Sequence, residues 1–312
     1  MNRVNADMPH SPFDLTNIEG YLRWREMKMD GYLKGYQNIR VQIDDISSLK
    51  KSEYQQIIDI CRKANSVIYS CNRQINDKEA IRKLGLQLGL EHLDGNLCSD
   101  NDGVSSLQVR EKGSRQEGYI PYTNRAINWH TDGYYNTEAQ QIKAMILHCV
   151  SDAAEGGENT IFDHEIAYIL MRDHDVDMVK ALMEPDAMTI PPNIENGVEV
   201  RGAQSGPVFS VNDKTGNLHM RYTARTRSIE WKNTPAIKKA TEYLQHLLNS
   251  DNEYILRYRL KPGEGIVSNN ALHNRSSFTD NDTLNKHRLF YRARYFDRVK
   301  STDVCQSYLL GE

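Results

Sequence analysis

The stretch NWHTDGYY, residues 128–135, places an imidazole and a carboxylate two residues apart in an aromatic, strand-like context. Side chains two residues apart on a strand point to the same face of a sheet. His130 and Asp132 can therefore hold one metal ion from one side and leave its other side open. A third ligand is offered by His273, near the end of residues 263–275 (GEGIVSNNALHNR), where an apolar run meets a polar turn.

Two histidines and one carboxylate with vacant coordination positions are the ligand set expected of non-haem Fe(II) oxygenases. The pattern His-X-Asp is short, however, and long chains contain it by chance. It occurs a second time here, at His92 and Asp94, after a helical pattern over residues 81–90 and just before Gly95. We interpret that second copy as the C-terminal end of a helix.

Composition excludes several classes of protein. The chain has 312 residues, of which 39% are hydrophobic and 26% charged, so it can bury a substantial core. Its net charge of −3 lacks the excess of positive charge that is typical of proteins that bind nucleic acid. Five scattered cysteines without a Cys-X-X-Cys pair indicate neither a disulfide framework nor a thiolate zinc site. We expect a cytoplasmic protein with no signal peptide and no membrane span.

The apolar pattern changes character near residue 104. Helical and strand-like segments alternate before it, whereas short apolar runs separated by turn signals follow it, as is typical of an antiparallel sandwich or barrel. The predicted helices lie at residues 15–33, 52–64, 77–90, 166–184 and 235–249. The short apolar runs after residue 104 lie at 107–110, 142–150, 160–163, 208–211, 218–222, 254–260, 265–268 and 288–296. We therefore expect a mixed, mainly β fold with helices packed outside the core and an insertion between its halves.

Four motifs follow one another along the chain: WHTD at residues 129–132, GGENT at 156–160, NALH at 270–273 and RLFYR at 288–292. As a set they resemble the taurine dioxygenase-like (TauD/TfdA) family of Fe(II)/2-oxoglutarate-dependent oxygenases, from about Ile39 to Phe296. The resemblance implies a double-stranded β-helix, or jelly roll, with iron bound inside one mouth. We expect one integrated domain, with a helix and strand prelude over residues 1–104 packed on a catalytic core. The core would cover residues 105–300, with an insertion at about 166–250.

The resemblance gives His130, Asp132 and His273 the role of iron ligands and catalytic centre. The implied cofactors are Fe(II), 2-oxoglutarate as co-substrate and O₂. The implied reaction is hydroxylation of a substrate C–H bond with release of succinate and CO₂. Because Asp132 is a carboxylate, no position is left for a halide ion, which argues against a halogenase.

The resemblance also implies a binding site for 2-oxoglutarate. Thr160 matches a hydroxyl that bonds the distal carboxylate, Arg288 matches the guanidinium that grips it, and Arg292 resembles an arginine near the co-substrate or substrate. An arginine suits this role on physical grounds, because its guanidinium can donate two parallel hydrogen bonds to a carboxylate, whereas a lysine ammonium acts only as a point charge. Taken alone, Arg288, Arg292 and Arg294 would be better explained as the solvated face of an edge strand, but the position of Arg288 after His273 favours an anchor for a ligand.

Two other functions stay open. The same three ligands on another metal ion would suit a metal-dependent hydrolase or cupin-type enzyme, and a catalytically silent β-barrel binding module could keep the fold. Intact Arg288 and Thr160 argue against both, since neither needs an anchor for a dicarboxylate.

We expect the substrate to be a small anionic or zwitterionic metabolite. Several arginines between the halves of the core could face the cavity, and burying one without an anion would be costly. These are Arg201, Arg221, Arg225 and Arg227, to which Arg292 is added. Alternatively, several of them pair with Glu195, Glu199 and Glu230. Further substrate contacts are expected within residues 118–128 and 190–227. The composition allows a homo-oligomer. It indicates neither a nucleic-acid partner nor a membrane partner.

Overall fold

The computed structural model describes residues 11–36, 38–95, 100, 102–110, 113, 116, 119–195, 197–225 and 229–304. The helices are α1 (Ile18–Met29), α2 (Tyr32–Tyr36), α3 (Lys51–Ala64), α4 (Lys78–Gln87), α5 (His164–His174), α6 (Val176–Leu182) and α7 (Pro235–Asn249). The first strands are β1 (Arg40–Ile43), β2 (Ser66–Cys71), β3 (Val104–Leu107), β4 (Ile127–His130), β5 (Ala144–Ser151), β6 (Glu155–Gly156) and β7 (Asn159–Phe162). Next come β8 (Met188–Ile190), β9 (Asn193–Glu195), β10 (Val198–Arg201), β11 (Gln204–Gly206), β12 (Phe209–Val211), β13 (Leu218–Met220) and β14 (Glu230–Trp231). The last strands are β15 (Ile255–Tyr258), β16 (Glu264–Ser268), β17 (Leu272–Arg275), β18 (Phe278–Thr279) and β19 (Leu289–Tyr295).

Two sheets form the core. The larger has the strand order β1-β2-β16-β5-β19-β3, in which β1 and β2 are parallel and the other pairs antiparallel. The smaller is antiparallel, in the order β15-β7-β17-β4. One hydrophobic cluster contains Leu147 and Phe290 from the larger sheet together with Ile161 from the smaller. The two sheets therefore share a core.

Strand β19 presents different chemistry on its two faces. Tyr291, Ala293 and Tyr295 belong to a second hydrophobic cluster, which also contains side chains of α3 and α4. Phe290 belongs instead to the cluster shared by the two sheets. Because successive side chains of a strand alternate between faces, Arg292 and Arg294 lie on the inner face with Phe290.

The segment between β7 and β15 lies outside both core sheets. These two strands pair with each other, so the chain leaves the smaller sheet after Phe162 and returns beside the same strand at Ile255. Helices α5 to α7 and strands β8 to β14 lie between them. Strands β1 and β2 of the N-terminal segment pair within the larger sheet. The boundary at residue 104 and the limits of the insertion stay predictions.

The predicted helices are present with altered ends. The pattern over residues 15–33 divides into α1 and α2 at Gly31, whose φ of +61° suits glycine. The pattern over 166–184 likewise divides into α5 and α6, whereas α7 has the predicted bounds. The strand predicted at residues 107–110 is displaced by three residues, because β3 spans Val104–Leu107.

The described residues also bear on the class of protein. None of their helices is long and apolar enough to cross a membrane. Cys61, Cys71 and Cys149 are buried free thiols, and Cys98 and Cys305 lie outside the described residues.

Candidate metal centre

The two predicted histidines lie on neighbouring strands of the smaller sheet. His130 is the last residue of β4 and His273 lies on β17, and the antiparallel register pairs them directly. Directly opposed residues of such a pair share one face of the sheet. Their ring centroids are 4.2 Å apart. The fold therefore brings together two histidines that are distant in sequence.

A local bond orients each imidazole. Nδ1 of His130 lies 2.9 Å from the carbonyl oxygen of Asn128, and Nδ1 of His273 lies 2.9 Å from that of Ala271. Since a carbonyl oxygen only accepts, Nδ1 carries the proton of each neutral ring and Nε2 keeps its lone pair. Burial, followed by the neighbouring His273, lowers the pKa of His130 to about 3. Burial lowers the pKa of His273 as well. Both rings can therefore offer Nε2 to a cation.

Asp132 lies in a turn just beyond β4, not on the strand that the spacing predicts. Its backbone N–H donates to Oδ1 of Asn270 over 2.8 Å, and Nδ2 of Asn270 donates to the Asp132 carbonyl over 3.0 Å. Gly133 follows with a φ of +69°, and a Cβ atom there would lie 2.4 Å from Ile142. The two Asn270 bonds and the glycine turn hold Asp132 beside His130 although the strand has ended.

Two arginines of β19 keep the Asp132 carboxylate ionised. Nη1 of Arg292 lies 3.2 Å from Oδ1 of Asp132, and Nη1 of Arg294 lies 3.7 Å from the same oxygen. Burial raises the pKa of this carboxyl, but Arg292 and then Arg294 oppose that effect and hold the pKa well below its usual range. The second oxygen, Oδ2, is buried and has no hydrogen-bond partner within the described ranges.

The three predicted ligands together fit a divalent metal ion. One ligand atom from each of His130, Asp132 and His273 lies within 4.8 Å of the others. A buried carboxylate oxygen without a partner is costly, and a bound cation would remove that cost. Two neutral imidazoles and one carboxylate, with the remaining positions open, are the donor set that suits non-haem Fe(II).

Arg288 lies at the start of β19 and reaches into the core. The residue is 2% exposed, and its Nε and Nη1 have no acceptor among the residues described. Its guanidinium lies 3.8 Å from the ring centroid of Phe290. Burial, followed by the nearby Arg275, lowers the pKa of Arg288 to about 9. A buried guanidinium of this kind would be satisfied by the carboxylate of a ligand.

The register of β7 bears on the predicted role of Thr160. Thr160 is opposite Asn274 of β17, whereas Asn159 is opposite Arg275. Because faces alternate along a strand, Asn159 and Arg275 share the face of His273 and Thr160 lies on the other. Nδ2 of Asn159 is also buried without a partner in the described part of the chain. The register favours Asn159 over Thr160 for a contact inside the core.

The second His-X-Asp motif does not bind a metal ion in the way the first can. Helix α4 ends before it, at Gln87, and Gly89 with a φ of +75° follows the helix end in place of the predicted Gly95. The His92 side chain is 72% exposed and lies 2.9 Å from Asp297, whereas Asp94 is buried and pairs with Arg294. The two side chains of the motif therefore point to different surroundings.

Two of the five arginines expected near the substrate donate to the backbone instead. Arg221 and Arg201 donate to backbone carbonyls, which replace the predicted glutamate partners. The acceptors are the carbonyls of Tyr134, Met188 and Gln204 for Arg221, and of Pro191 and Gly202 for Arg201. Arg225 is exposed, and Arg227 lies outside the described residues. Of this set, Arg292 is the residue that reaches the candidate metal centre.

Besides Asn159, sequence reasoning missed Asn270 and Arg275. Asn270, with a φ of +54°, holds the Asp132 turn. Arg275 is buried on β17 and donates to the carbonyls of Thr123 and Arg125. Its position two residues after His273 was an available signal, because it places both side chains on one face of a strand. Asn270 gave no such signal, since its partner is distant in sequence.

A comparison with known families agrees with this geometry. A sequence model of the taurine catabolism dioxygenase TauD, TfdA family matches residues 35–293. The chain belongs to this family. A uridine-5'-phosphate dioxygenase from Amycolatopsis sp. is 32% identical to it over 184 residues. That match covers 56% of this chain and 62% of the relative, less than two thirds of the relative's length.

Solved structures of TauD, TfdA-like oxygenases share the fold. PvcB from Pseudomonas aeruginosa is 14% identical with a TM-score of 0.56, covering 81% of this chain and 82% of PvcB. Another PvcB structure is described as an Fe, α-ketoglutarate-dependent oxygenase from an isonitrile synthetic pathway. An asparagine oxygenase bound to Fe(II), 3-hydroxyasparagine and succinate is 15% identical with a TM-score of 0.53, covering 93% of this chain and 86% of that enzyme. The predicted jelly-roll fold is confirmed.

The imidazole geometry predicts how the histidines behave in the metal-free protein. With pKa values lowered by burial, His130 and His273 should both titrate below the usual histidine range, and each neutral ring should carry the proton on Nδ1. Long-range ¹H–¹⁵N correlation spectra report both properties. His92 is the internal control, because its bond to Asp297 raises its pKa, so it should titrate at a higher pH than His130. Titration of His130 alongside His92 would contradict the buried, pre-oriented pair.

Proposed function

We propose that this protein is an Fe(II)/2-oxoglutarate-dependent dioxygenase that hydroxylates a small metabolite. The proposal rests above all on one combination: an open site of two histidines and one carboxylate beside the buried, acceptor-free guanidinium of Arg288. The first suits ferrous iron and the second suits the distal carboxylate of 2-oxoglutarate. Bound iron would supply O₂ activation, with one oxygen atom passing to the substrate and the other to succinate as CO₂ is released.

The positions of the three candidate ligands indicate which atom of each would bind the ion. His130 and His273 would hold the ion through Nε2, since Nδ1 of each ring donates to a backbone carbonyl. Asp132 would bind through Oδ2, because Oδ1 faces Arg292 and Arg294. All three ligands approach from the turn and strand ends of one sheet, so the remaining positions stay open for co-substrate, substrate and O₂.

The alternative functions account for less of the site. A metal-dependent hydrolase could use the same ligands, but it has no use for a buried dicarboxylate anchor such as Arg288. A silent binding module would need neither the free Nε2 atoms nor the unpartnered Oδ2 of Asp132. Family membership also favours the oxygenase, because the family is described as dioxygenases.

The metal and co-substrate can be tested together without knowing the substrate. Adding 2-oxoglutarate to anaerobic, Fe(II)-loaded protein should give the weak visible charge-transfer band of the chelate, and His130→Ala should abolish the band with little loss of fold. Once a substrate is known, chelator should remove activity, Fe(II) should restore it and Zn(II) should inhibit. Activity restored by Zn(II), without the band, would point to the hydrolase.

We propose that Arg288 and Asn159 hold the distal carboxylate of 2-oxoglutarate. Both side chains have buried donors without protein acceptors in the described residues, and Asn159 lies opposite Arg275, whose charge is close enough to affect Arg288. Thr160, the residue assigned by resemblance, is the competing candidate, and Arg292 would face the co-substrate or substrate nearer the metal.

Kinetics of three variants separate these candidates. Arg288→Lys should raise the KM for 2-oxoglutarate by about tenfold or more, because losing a bidentate charge-assisted contact costs roughly 1.5–3 kcal/mol. Asn159→Ala should raise the same KM, whereas Thr160→Val, the matched neighbour on the other face, should leave it nearly unchanged. A raised KM for 2-oxoglutarate in Thr160→Val, with a normal KM in Asn159→Ala, would instead assign the contact with the distal carboxylate to Thr160.

We further propose a small anionic or zwitterionic substrate. Arg292 supports this, because its guanidinium reaches Asp132 beside the metal site and its Nε is buried with no acceptor in the described ranges. The names of the relatives are consistent: one acts on uridine 5'-phosphate, and another is bound to hydroxyasparagine. An anionic group on the substrate would satisfy the remaining donor of Arg292.

A screen for substrate-stimulated succinate release tests the charge of the substrate. Matched carboxylates, sulfonates, phosphate esters including nucleoside monophosphates, amino acids and trimethylammonium compounds would form the panel. We expect turnover with compounds that carry an acid group, because they can pair with Arg292. Preference for a cationic compound lacking any acid group would contradict the proposal.

We also propose that the protein is cytoplasmic and that its chain forms a single catalytic domain. Three buried free thiols support a reducing, cytoplasmic environment. A single catalytic domain is supported by β1 and β2, which lie in the same sheet as β5, β16 and β19. Whether copies of the chain associate stays a prediction, which the mass of the purified protein in solution would test.

A further inference from the structure

Asp94, the acidic residue of the second His-X-Asp motif, lies beside β19 near the metal centre. Its backbone N–H donates to the carbonyl of Arg294 over 2.8 Å, and Leu93 forms an isolated bridge with Tyr295. His92, on the same segment, points outward to Asp297. Pairing with the end of β19 therefore turns Asp94 inward.

Arg294 connects Asp94 to the ligand Asp132. Its Nη2 donates to Oδ2 of Asp94, and its Nη1 donates to the Tyr135 hydroxyl over 2.9 Å. The same Nη1 lies 3.7 Å from Oδ1 of Asp132. The Arg294 side chain is 3% exposed. One buried guanidinium thus lies between two carboxylates, of which one belongs to the candidate metal site and the other does not.

We propose that Asp94 is a positioning residue that acts through Arg294 to prepare Asp132 for metal binding. The inference rests on the proposed function, since it assumes that Asp132 binds iron. Asp94 itself would touch neither metal nor substrate.

The first part of the argument concerns charge. Arg292 and Arg294 both lie beside Asp132, and two guanidinium groups next to a metal ligand repel an incoming divalent cation. The negative charge of Asp94 offsets one of these positive charges, so that the charges of the two carboxylates and the two guanidinium groups sum to zero. Without Asp94, the same buried site would carry an uncompensated positive charge.

The second part concerns orientation. Both guanidinium groups approach the same oxygen of Asp132, Oδ1, and leave Oδ2 unpartnered in the described structure. An Asp132 held in this way offers one oxygen to the ion, and the position that a second oxygen would occupy stays open for co-substrate or O₂. Asp94 and Tyr135 fix Arg294, because both accept from its terminal nitrogens.

The test measures metal affinity in the full-length protein, without any substrate. Binding of Mn(II) to metal-free protein is followed by the EPR signal of the free ion, and the melting temperature of each variant is recorded alongside. Asp94→Asn keeps the shape and removes the charge, and we expect it to weaken Mn(II) binding by about tenfold or more, as loss of outer-shell partners of metal ligands does. His92→Ala is the matched control, since it removes the outward side chain of the same segment and should bind Mn(II) like the wild type.

A second variant keeps the test decisive if Asp94→Asn does not fold. The double variant Asp94→Asn, Arg294→Gln replaces the ion pair by two neutral side chains and leaves no uncompensated charge at this pair. We expect it to bind Mn(II) more weakly than the wild type by about threefold or more, since the charges balance again but Asp132 loses one of the two guanidinium groups that orient it. A lower melting temperature with unchanged Mn(II) affinity would show a purely structural role and overturn the inference.

The outcomes also distinguish this inference from the proposed function. If the wild type binds Mn(II) and the folded variants bind it within about threefold of the wild type, Asp94 has no positioning role and the metal centre still stands. If the wild type binds neither Mn(II) nor Fe(II), the proposed function fails, and the inference fails with it.

Discussion

The direct pairing of His130 with His273 across β4 and β17 is the constraint on which the rest of the site depends. A one-residue slip between two strands moves every side chain to the other face, so this register decides which residues enter the core. The same pairing places Arg275 on the inner face of β17, and the register of β17 with β7 then brings Asn159 beside it. The two candidate histidine ligands and the candidate co-substrate contact of Asn159 therefore follow from the register of β17 with its two neighbouring strands.

Several arginines lie around this core, and they differ in what accepts their hydrogen bonds. Arg275 donates to backbone carbonyls, whereas Arg292 and Arg294 face the Asp132 carboxylate. Arg288 differs, because its Nε and Nη1 find no acceptor in the described residues. Since burial penalises every unpaired cation alike, the acceptor is what separates a structural arginine from one that is available to a ligand. Arg221 illustrates the first case, with three backbone carbonyls as acceptors.

Local patterns in the sequence predicted the fold and the candidate metal ligands because both depend on local chemistry. Short apolar runs form strands wherever one face is buried, and the motif around His130 and Asp132 fixes two ligands within three residues. The helical period predicted α7 with its observed bounds. The third candidate ligand, His273, was predicted from an apolar run that ends in a polar turn and was supported by the resemblance to a known family, whereas Arg288 was found through that resemblance. These predictions needed no knowledge of how the segments pack.

The sequence by itself thus determined the β-rich core, the ligand types and the family. Only the tertiary structure decided the contacts between residues far apart in the chain. It set the face of β7 on which Asn159 lies, the Asn270 bonds that hold the Asp132 turn beyond the strand, and the inward direction of Asp94. The physical reason is the same in each case: strand register and side-chain pairing are properties of two segments at once, so neither segment alone carries them.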